Sequence, residues 1–443
     1  MIREAWSIAI ETLSWIQLHR LSERLALAKT AKQLGIENPE ALNLAHKLVL
    51  ETTRRKNLID YIISLALPRP LDELKLGQQA FLRLFTYEVK ILNGGLKRAV
   101  DVAKTGRSIL GWREIEELEE TLGKILSIQL DQALNGLSDE KKVSLLTCHP
   151  TWFVKYCFKL LGRGEAIKLL EKSMDAPPTY IRINTLKASE EKILKEMESE
   201  GITLEKVNGL RHTYMVVKSE KPLSRIKSFK KGLFYVQDKA SCLAAEVANP
   251  KPGMTILDVC AAPGAKTTYL AQLMENKGKI YSIDYSKRRM KVWRNEVNRM
   301  GVKIAVPILA DACKPLPLTE LADLVVLDPP CTSTGVFSKA PSTKWRLTKR
   351  SPLGMAELQW RMLDVCSGHV REGGFLIYST CSITLEENEV LIERFLRWHP
   401  EFKLVEASPR IGLPGFRGLK ECQRLFPHIH NCNGFFVAKL QKQ

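Results

Sequence analysis

None of the ten cysteines in this 443-residue chain stands three positions from another. Without a C-x-x-C pair, zinc ribbons and thioredoxin-like redox sites are excluded. No run of about 18 apolar residues occurs, so no segment suits a membrane-crossing helix. The opening MIREAWSIAI carries Glu4 and no small-residue cleavage site, so no secretory leader is expected. Thiols in such a chain are expected to stay reduced, which implies the cytoplasm. The strand-to-helix turn in DVCAAPGAKTTYLAQLM, 258–274, is not G-x-G-x-x-G and holds one glycine, Gly264. A dinucleotide site normally uses more glycine to admit its pyrophosphate.

Positive charge, by contrast, is in excess: the net charge is +18. Residues 1–150 carry 21 Lys and Arg against 19 Asp and Glu, and the remaining 293 carry 46 against 30. The excess therefore lies in the last two thirds. A polyanion is the implied partner, nucleic acid being the commonest, and a generally basic solvated surface is the other reading.

A chain of this length predicts more than one core, and its patterning falls into three stretches. Residues 1–139 repeat apolar positions every three to four residues, as an all-α domain of five to seven helices. Asn38 followed by Pro39 marks one helix start. Near-neutral charge there suits packing or protein docking more than a dominant phosphate-binding role. Residues 140–235 predict a small α+β domain. DAPPTYIRINTL alternates like a strand, EEKILKEMESEG is helical, and TYMVVK and LFYVQD are short strands. Its loop KPLSRIKSFKK, 221–231, has five basic residues and no acid, which suits a phosphate backbone or a solvated loop equally. Residues 236–443 alternate strand and helix: TILDVCA, GKIYSID, KIAVPILAD, LADLVVLDPP and GGFLIYSTCS are apolar runs bounded by turns. This predicts a Rossmann-like α/β domain with a parallel sheet and its site beyond the strands' carboxyl ends.

Three carboxylates end successive strands or turns there. Asp284 stands where nucleotide-type sheets bind a ribose hydroxyl, and Asp311 where an adenine edge is reached. Pro263 and Gly264 bend the first strand into a helix start that presents backbone N–H groups. S-adenosylmethionine, an adenosine without phosphate, fits this low-glycine pattern. Asp328-Pro329-Pro330-Cys331 has the form of a D-P-P-aromatic motif of amino-group methyltransferases, with a thiol in place of the stacking ring. Cys381 follows the next strand, so both thiols face one crevice. Carbon 5 of a pyrimidine becomes nucleophilic once a thiolate adds at carbon 6, and a second thiol can assist release. The residues alone leave open which cysteine attacks.

DVCAAPGAKTTYLAQLM, DPPCTSTG and YSTCSITLEENE, together with YIRINTLK, GLFYVQDKAS and RLFPHIHNCNGFFVAKL, resemble the NOL1/NOP2/Sun family of RNA cytosine-5 methyltransferases. The resemblance covers about 175–443. The helical stretch before it is similar to the RsmB/Fmu (Sun) branch, whose leading domain is NusB-like and docks RNA or the ribosome. The resemblance implies class I methyltransferase chemistry on ribosomal or transfer RNA, and a monomer is expected. It implies Cys381 as nucleophile on carbon 6, Cys331 as the thiol that assists release, and Asp328 as the group holding the base through N3 and the amino group. It implies S-adenosylmethionine at Cys260, Ala261, Ala262, Pro263, Gly264, Ala265 and Lys266, with Asp284, Arg289, Asp311 and Asp328; no metal is implied. Lys266 is read either as a contact to cofactor or substrate or as a helix-surface lysine. Ala265 replaces a glycine usual in the family. Tyr180, Arg182, Phe229 and Lys230 are read as holders of the flanking RNA strand or as core. Two other functions remain: an amino-group methyltransferase using the D-P-P motif, and a non-catalytic RNA-binding assembly or antitermination factor.

Overall fold

Asn38 caps the helix Pro39–Arg54 as its position before proline predicts. Its side-chain oxygen accepts from the N–H groups of Glu40 and Ala41 at 3.0 and 3.4 Å, which satisfies two donors that no helical carbonyl can reach. In this computed structural model, which describes residues 1–443, seven helices of nine residues or more and two short ones lie between Ile2 and Ala133. Trp6, Phe81 and Phe85 lie in their shared core.

The chain divides into two units, one of residues 1–176 with 337–349, the other of 177–336 with 350–443. The expected boundary at 139/140 falls earlier than this division. Helices Asp139–Leu146, Thr151–Leu161 and Arg163–Lys172 side with the helical unit, held in part by Asn57, whose amide donates to the carbonyls of Ser144 at 2.7 Å and His149 at 3.1 Å. The helical unit also takes up 13 residues from far along the chain. Phe337 packs against Phe153 with ring centroids 5.0 Å apart, and Trp345 donates its indole N–H to the Thr53 carbonyl at 2.6 Å. Lys344 is fully buried with its ammonium on the Cys148 carbonyl at 2.5 Å, and burial pulls its pKa down to about 7.

In the second unit a four-stranded antiparallel sheet has the order β2-β3-β1-β4, from β1 (Tyr180–Ile183), β2 (Ile202–Lys206), β3 (Thr213–Ser219) and β4 (Phe234–Val236). The sequence reading has no counterpart of β2. The expected RNA contact at Arg182 is corrected here: Arg182 is wholly buried. It donates to Gln237 at 3.0 Å, to Thr268 at 2.8 Å and to Gln272, and lies 4.5 Å from the Tyr269 ring centre. Gln272 and Thr268 sit on the helix that follows Gly264, so Arg182 fastens the small sheet to the site's main helix. Tyr180 is also core, its hydroxyl donating to the Asn431 carbonyl at 2.7 Å. Lys230 is exposed, and Phe229 lies half-buried under the Arg299 guanidinium.

The five expected strands form the parallel part of a nine-stranded sheet: β5 (Thr255–Val259), β6 (Lys279–Asp284), β7 (Ala305–Leu309), β8 (Ala322–Leu327) and β9 (Val370–Thr380). Their order runs β7-β6-β5-β8-β9. Chain progress reverses between β5 and β8, and ligands of such sheets bind at that switch point. Val259, Leu324, Val326 and Leu327 are buried, as strands covered by helices on both faces require. Antiparallel β13 (Phe435–Lys442) extends the sheet beyond β9 and pairs with β10 (Phe402–Val405) and β12 (Gln423–Leu425), and β11 (Leu413–Pro414) pairs with β12 at the edge.

Arg182→Ala leaves buried glutamine acceptors without their donor. We expect it to lower unfolding stability by about 3 kcal/mol, read as a lower urea midpoint by fluorescence.

Candidate active site

The turn after β5 is set by Gly264, whose φ of 111° lies in the region glycine favours. The helix Ala265–Leu273 starts at once behind it. Asp284, at the end of β6, is 2% exposed and accepts from the N–H of Ala262 at 3.3 Å and of Ser286 at 3.0 Å. Arg289 pairs with Asp284 at 3.3 Å and donates to the Ala262 carbonyl, so both hold the Ala262–Pro263 turn in place. Asp311 is exposed beyond β7, one oxygen accepting from the Cys313 N–H at 3.0 Å.

Inside the crevice, burial raises Asp258 to about 7, and the carboxylates of Asp328 and Asp284 push it the same way. This concentration of acids opposes a phosphate. It suits a nucleoside that carries a sulfonium and an ammonium, which is the chemistry of S-adenosylmethionine, so the residues present fit that group.

Lys266 is nearly buried and its ammonium lies 2.5 Å from an Asp328 carboxylate oxygen. The other Asp328 oxygen accepts from the Ser379 hydroxyl at 3.2 Å. The surface-lysine alternative for Lys266 is thereby removed: it fixes the direction of a carboxylate at the end of β8.

Beyond β8 and β9 the two sequence-predicted thiols come together. The sulfurs of Cys331 and Cys381 are 3.2 Å apart, as free cysteines, and the Ser333 oxygen lies 3.5 Å from Cys381. Their acidities separate. The hydrogen bond from Cys331 is the largest cause that holds the Cys381 thiol below its ordinary value, against burial. The same bond, with burial, drives Cys331 well above its own. The contact thus favours ionisation at Cys381 over Cys331, and the thiolate is the nucleophilic form.

Sequence reasoning missed the residue that holds these sulfurs in register. Glu387 is wholly buried. From the Cys331 loop its carboxylate accepts the Thr332 N–H at 2.8 Å and the Thr332 hydroxyl. From the Cys381 loop it accepts the hydroxyls of Ser382 at 2.6 Å and Thr384 at 2.8 Å. Gln359 donates to it at 2.9 Å and also to the Pro330 carbonyl at 2.9 Å. The acid six residues after Cys381 was visible in TLEENE, but nothing in its spacing says that it faces inward. A second link is glycine against glycine: the Gly434 N–H donates to the Gly335 carbonyl at 2.8 Å, and a Cβ on Gly335 would meet the Gly434 oxygen at 2.2 Å.

This fold and site define a class I methyltransferase, and comparison with known proteins makes the assignment specific. A family model described as "16S rRNA methyltransferase RsmB/F" matches residues 245–441, and one for the RsmF/B-like ferredoxin-like domain matches 149–218. A probable ribosomal RNA small subunit methyltransferase B of Bacillus subtilis (strain 168) is 28% identical over 450 residues, 98% of either chain. The tRNA (cytosine(72)-C(5))-methyltransferase of Pyrococcus horikoshii is 41% identical over 220 residues, 50% of this chain and 55% of that one. The solved structure of PH0851 aligns over 100% of this chain and 99% of its own, at 31% identity and a TM-score of 0.85. The chain belongs to the RsmB/F family and is an RNA (cytosine-5)-methyltransferase.

A depressed thiol keeps its charge to lower pH than an ordinary cysteine and loses it as pH falls through its own value. Cys331→Ala removes the donor that depresses Cys381. Alkylation of Cys381 by iodoacetamide at pH 7 is expected to slow about tenfold per unit of recovery, and its pH midpoint to rise; Cys331→Ser, which keeps an O–H donor, is expected to shift it less. Glu387→Gln is expected to lower kcat about 100-fold, the scale of an ångström-level misplacement, with a smaller change in KM, in steady-state methyl transfer.

Proposed function

We propose that the chain transfers the methyl group of S-adenosylmethionine to carbon 5 of a cytosine in ribosomal RNA, through a covalent adduct between Cys381 and carbon 6. The observation that carries this reading is the pair of sulfurs 3.2 Å apart with acidities moved in opposite directions. S-adenosylmethionine, when bound, supplies an electrophilic methyl group. The turn from Cys260 through Lys266, with Asp284, Arg289, Asp311 and Asp328, holds it, the Asp284–Arg289 pair keeping the turn's backbone in place.

The thiolate of Cys381 forms the S–C6 bond, and the ring's electron pair passes to carbon 5, which becomes nucleophilic. Asp328, aimed by Lys266 and Ser379, holds the cytosine edge, accepting from the amino group and, when N3 carries a proton, from its N–H. After methylation a solvent water takes the carbon 5 proton, the C5–H electron pair re-forms the C5–C6 double bond, and the S–C6 pair leaves with the Cys381 sulfur. The S–H of Cys331 then meets the departing sulfur and stabilises it as thiolate, the hydrogen bond present at the start. A base reaches Cys381 only outside a stacked helix, so the target is single-stranded or flipped. The ribosomal substrate is supported by the full-length similarity to a small-subunit enzyme. We place the protein in the cytoplasm as a monomer, with a NusB-like helical stretch, residues 1–139, that docks RNA or the ribosome. No helix is long and apolar enough to cross a membrane.

Wild type, Cys331→Ala and Cys381→Ala should be incubated with S-adenosylmethionine and total RNA. Mass spectrometry is expected to find 5-methylcytosine with wild type alone. Cys331→Ala is expected to accumulate a denaturant-stable protein–RNA band and Cys381→Ala none; the inverse pattern overturns the roles assigned to the two thiols.

A further inference from the structure

A cavity of about 400 Å³ opens in the helical unit, between the helices Ile2–His19, Pro39–Arg54 and Lys56–Ala66 and the segment 337–349. That volume lies at the lower end of ligand sites, roughly 300–1,000 Å³. Its polar wall carries Arg20, Lys56, Arg83 and Arg346. Asp60 offsets one of these charges, taking Arg83 at 2.7 Å and Lys56 at 2.8 Å. Arg346 donates to the Arg20 carbonyl at 2.8 Å, which sets the two guanidinium-bearing residues side by side at the mouth. The Arg20 guanidinium has no acidic partner. Leu13, Ile16, Leu347 and the Trp345 ring form the apolar wall.

Two further atoms point to an occupant. Thr52 and Thr53 line the cavity and are 0% and 4% exposed, yet neither hydroxyl has a hydrogen-bond partner. Buried hydroxyls without partners are uncommon, because each forfeits its bonds to water. Both residues line the cavity, but each hydroxyl oxygen lies beneath its accessible surface and reaches a ligand only by rotation about χ1.

We propose that this cavity is a second RNA site, which binds one nucleotide of the substrate away from the target cytosine. Its phosphate lies between Arg20 and Arg346, its base lies on the Trp345 wall, and its polar edge or 2′-hydroxyl bonds to Thr52 and Thr53. Net positive charge selects an anion, the apolar wall selects a flat ring, and the paired hydroxyls select a polar edge between them; a nucleotide carries all three. The choice of RNA rests on the function proposed above. The chain adds a reason of its own: Ser342 and Trp345, in the cavity wall, follow Cys331 by 11 and 14 residues on one continuous segment. A nucleotide seated here restrains the segment that leads out of the catalytic loop.

The test uses the full-length enzyme and in vitro-transcribed 16S rRNA, with filter binding at several salt concentrations and methyl transfer measured in parallel. Arg20→Glu/Arg346→Glu is expected to weaken binding at least tenfold and to flatten the salt dependence by about one to two units of slope. KM for RNA is expected to rise in step, with kcat at saturating RNA retained. Thr52→Val, which keeps the volume and removes the orphan hydroxyl, is expected to weaken binding at least threefold while leaving the melting temperature unchanged or higher. A structural hydroxyl gives the reverse, a lower melting temperature with unchanged binding. Wild-type affinity and slope in both variants overturn the second site while leaving the methyltransferase reading intact. A wild-type enzyme that neither binds nor methylates the transcript overturns both.

Discussion

A carboxylate with no exposure to water must be supplied with donors or expelled, and Glu387 is supplied by the two loops that carry the thiols. Removing an ionised acid from water costs several kcal/mol, which is recovered only through well-aligned hydrogen bonds. Thr332 from one loop, Ser382 and Thr384 from the other, and Gln359 from the helix Ser351–Ser367 meet that demand. Neither loop can move without leaving the charge short of donors. The loops end different strands, β8 and β9, whose parallel pairing alone fixes their height. Glu387 fixes what pairing does not, the lateral register of the sulfurs. The 3.2 Å separation and the split acidities follow from that register.

Electrostatics then divides the molecule by depth. Surface and loop charge is strongly positive, as an RNA-directed protein requires. The crevice is the opposite, with Asp284 and Asp328 close enough to Asp258 to raise its pKa. Lys266 and Arg289 each stand on one of these acids, so the crevice keeps an acidic bias without an isolated buried charge. A polyanion is drawn to the outside of such a protein and repelled from the acidic crevice within it.

Much of the site was legible because its residues announce themselves locally. Strand ends are marked by β-rich runs, and Gly264, Asp284, Cys331 and Cys381 stand directly at those ends. Lys266 and Arg182 show where local reading stops. A lysine on the second residue of a helix and an arginine on an alternating strand look solvent-facing. Their partners lie 62 residues away for Lys266 and 55 to 90 residues away for Arg182. Glu387 was hidden for the same reason. The early helices and the parallel strands carry strong periods, whereas β2, β10 and β12 are five, four and three residues long, too short for a period to show. Helices in 139–172 have one period whichever neighbour they pack on, so pattern could not place them in a unit.

The course of residues 337–349 has a topological consequence. The backbone passes between the two units three times, at 176/177, 336/337 and 349/350, where a simple tandem fusion passes once. The helical unit is therefore not a detachable leader. A chain beginning at 177 would still carry Phe337, Lys344 and Trp345 without the helices that bury them. Gain or loss of this unit over evolution must have involved an internal loop as well as a terminus, and the loop in question begins six residues after Cys331.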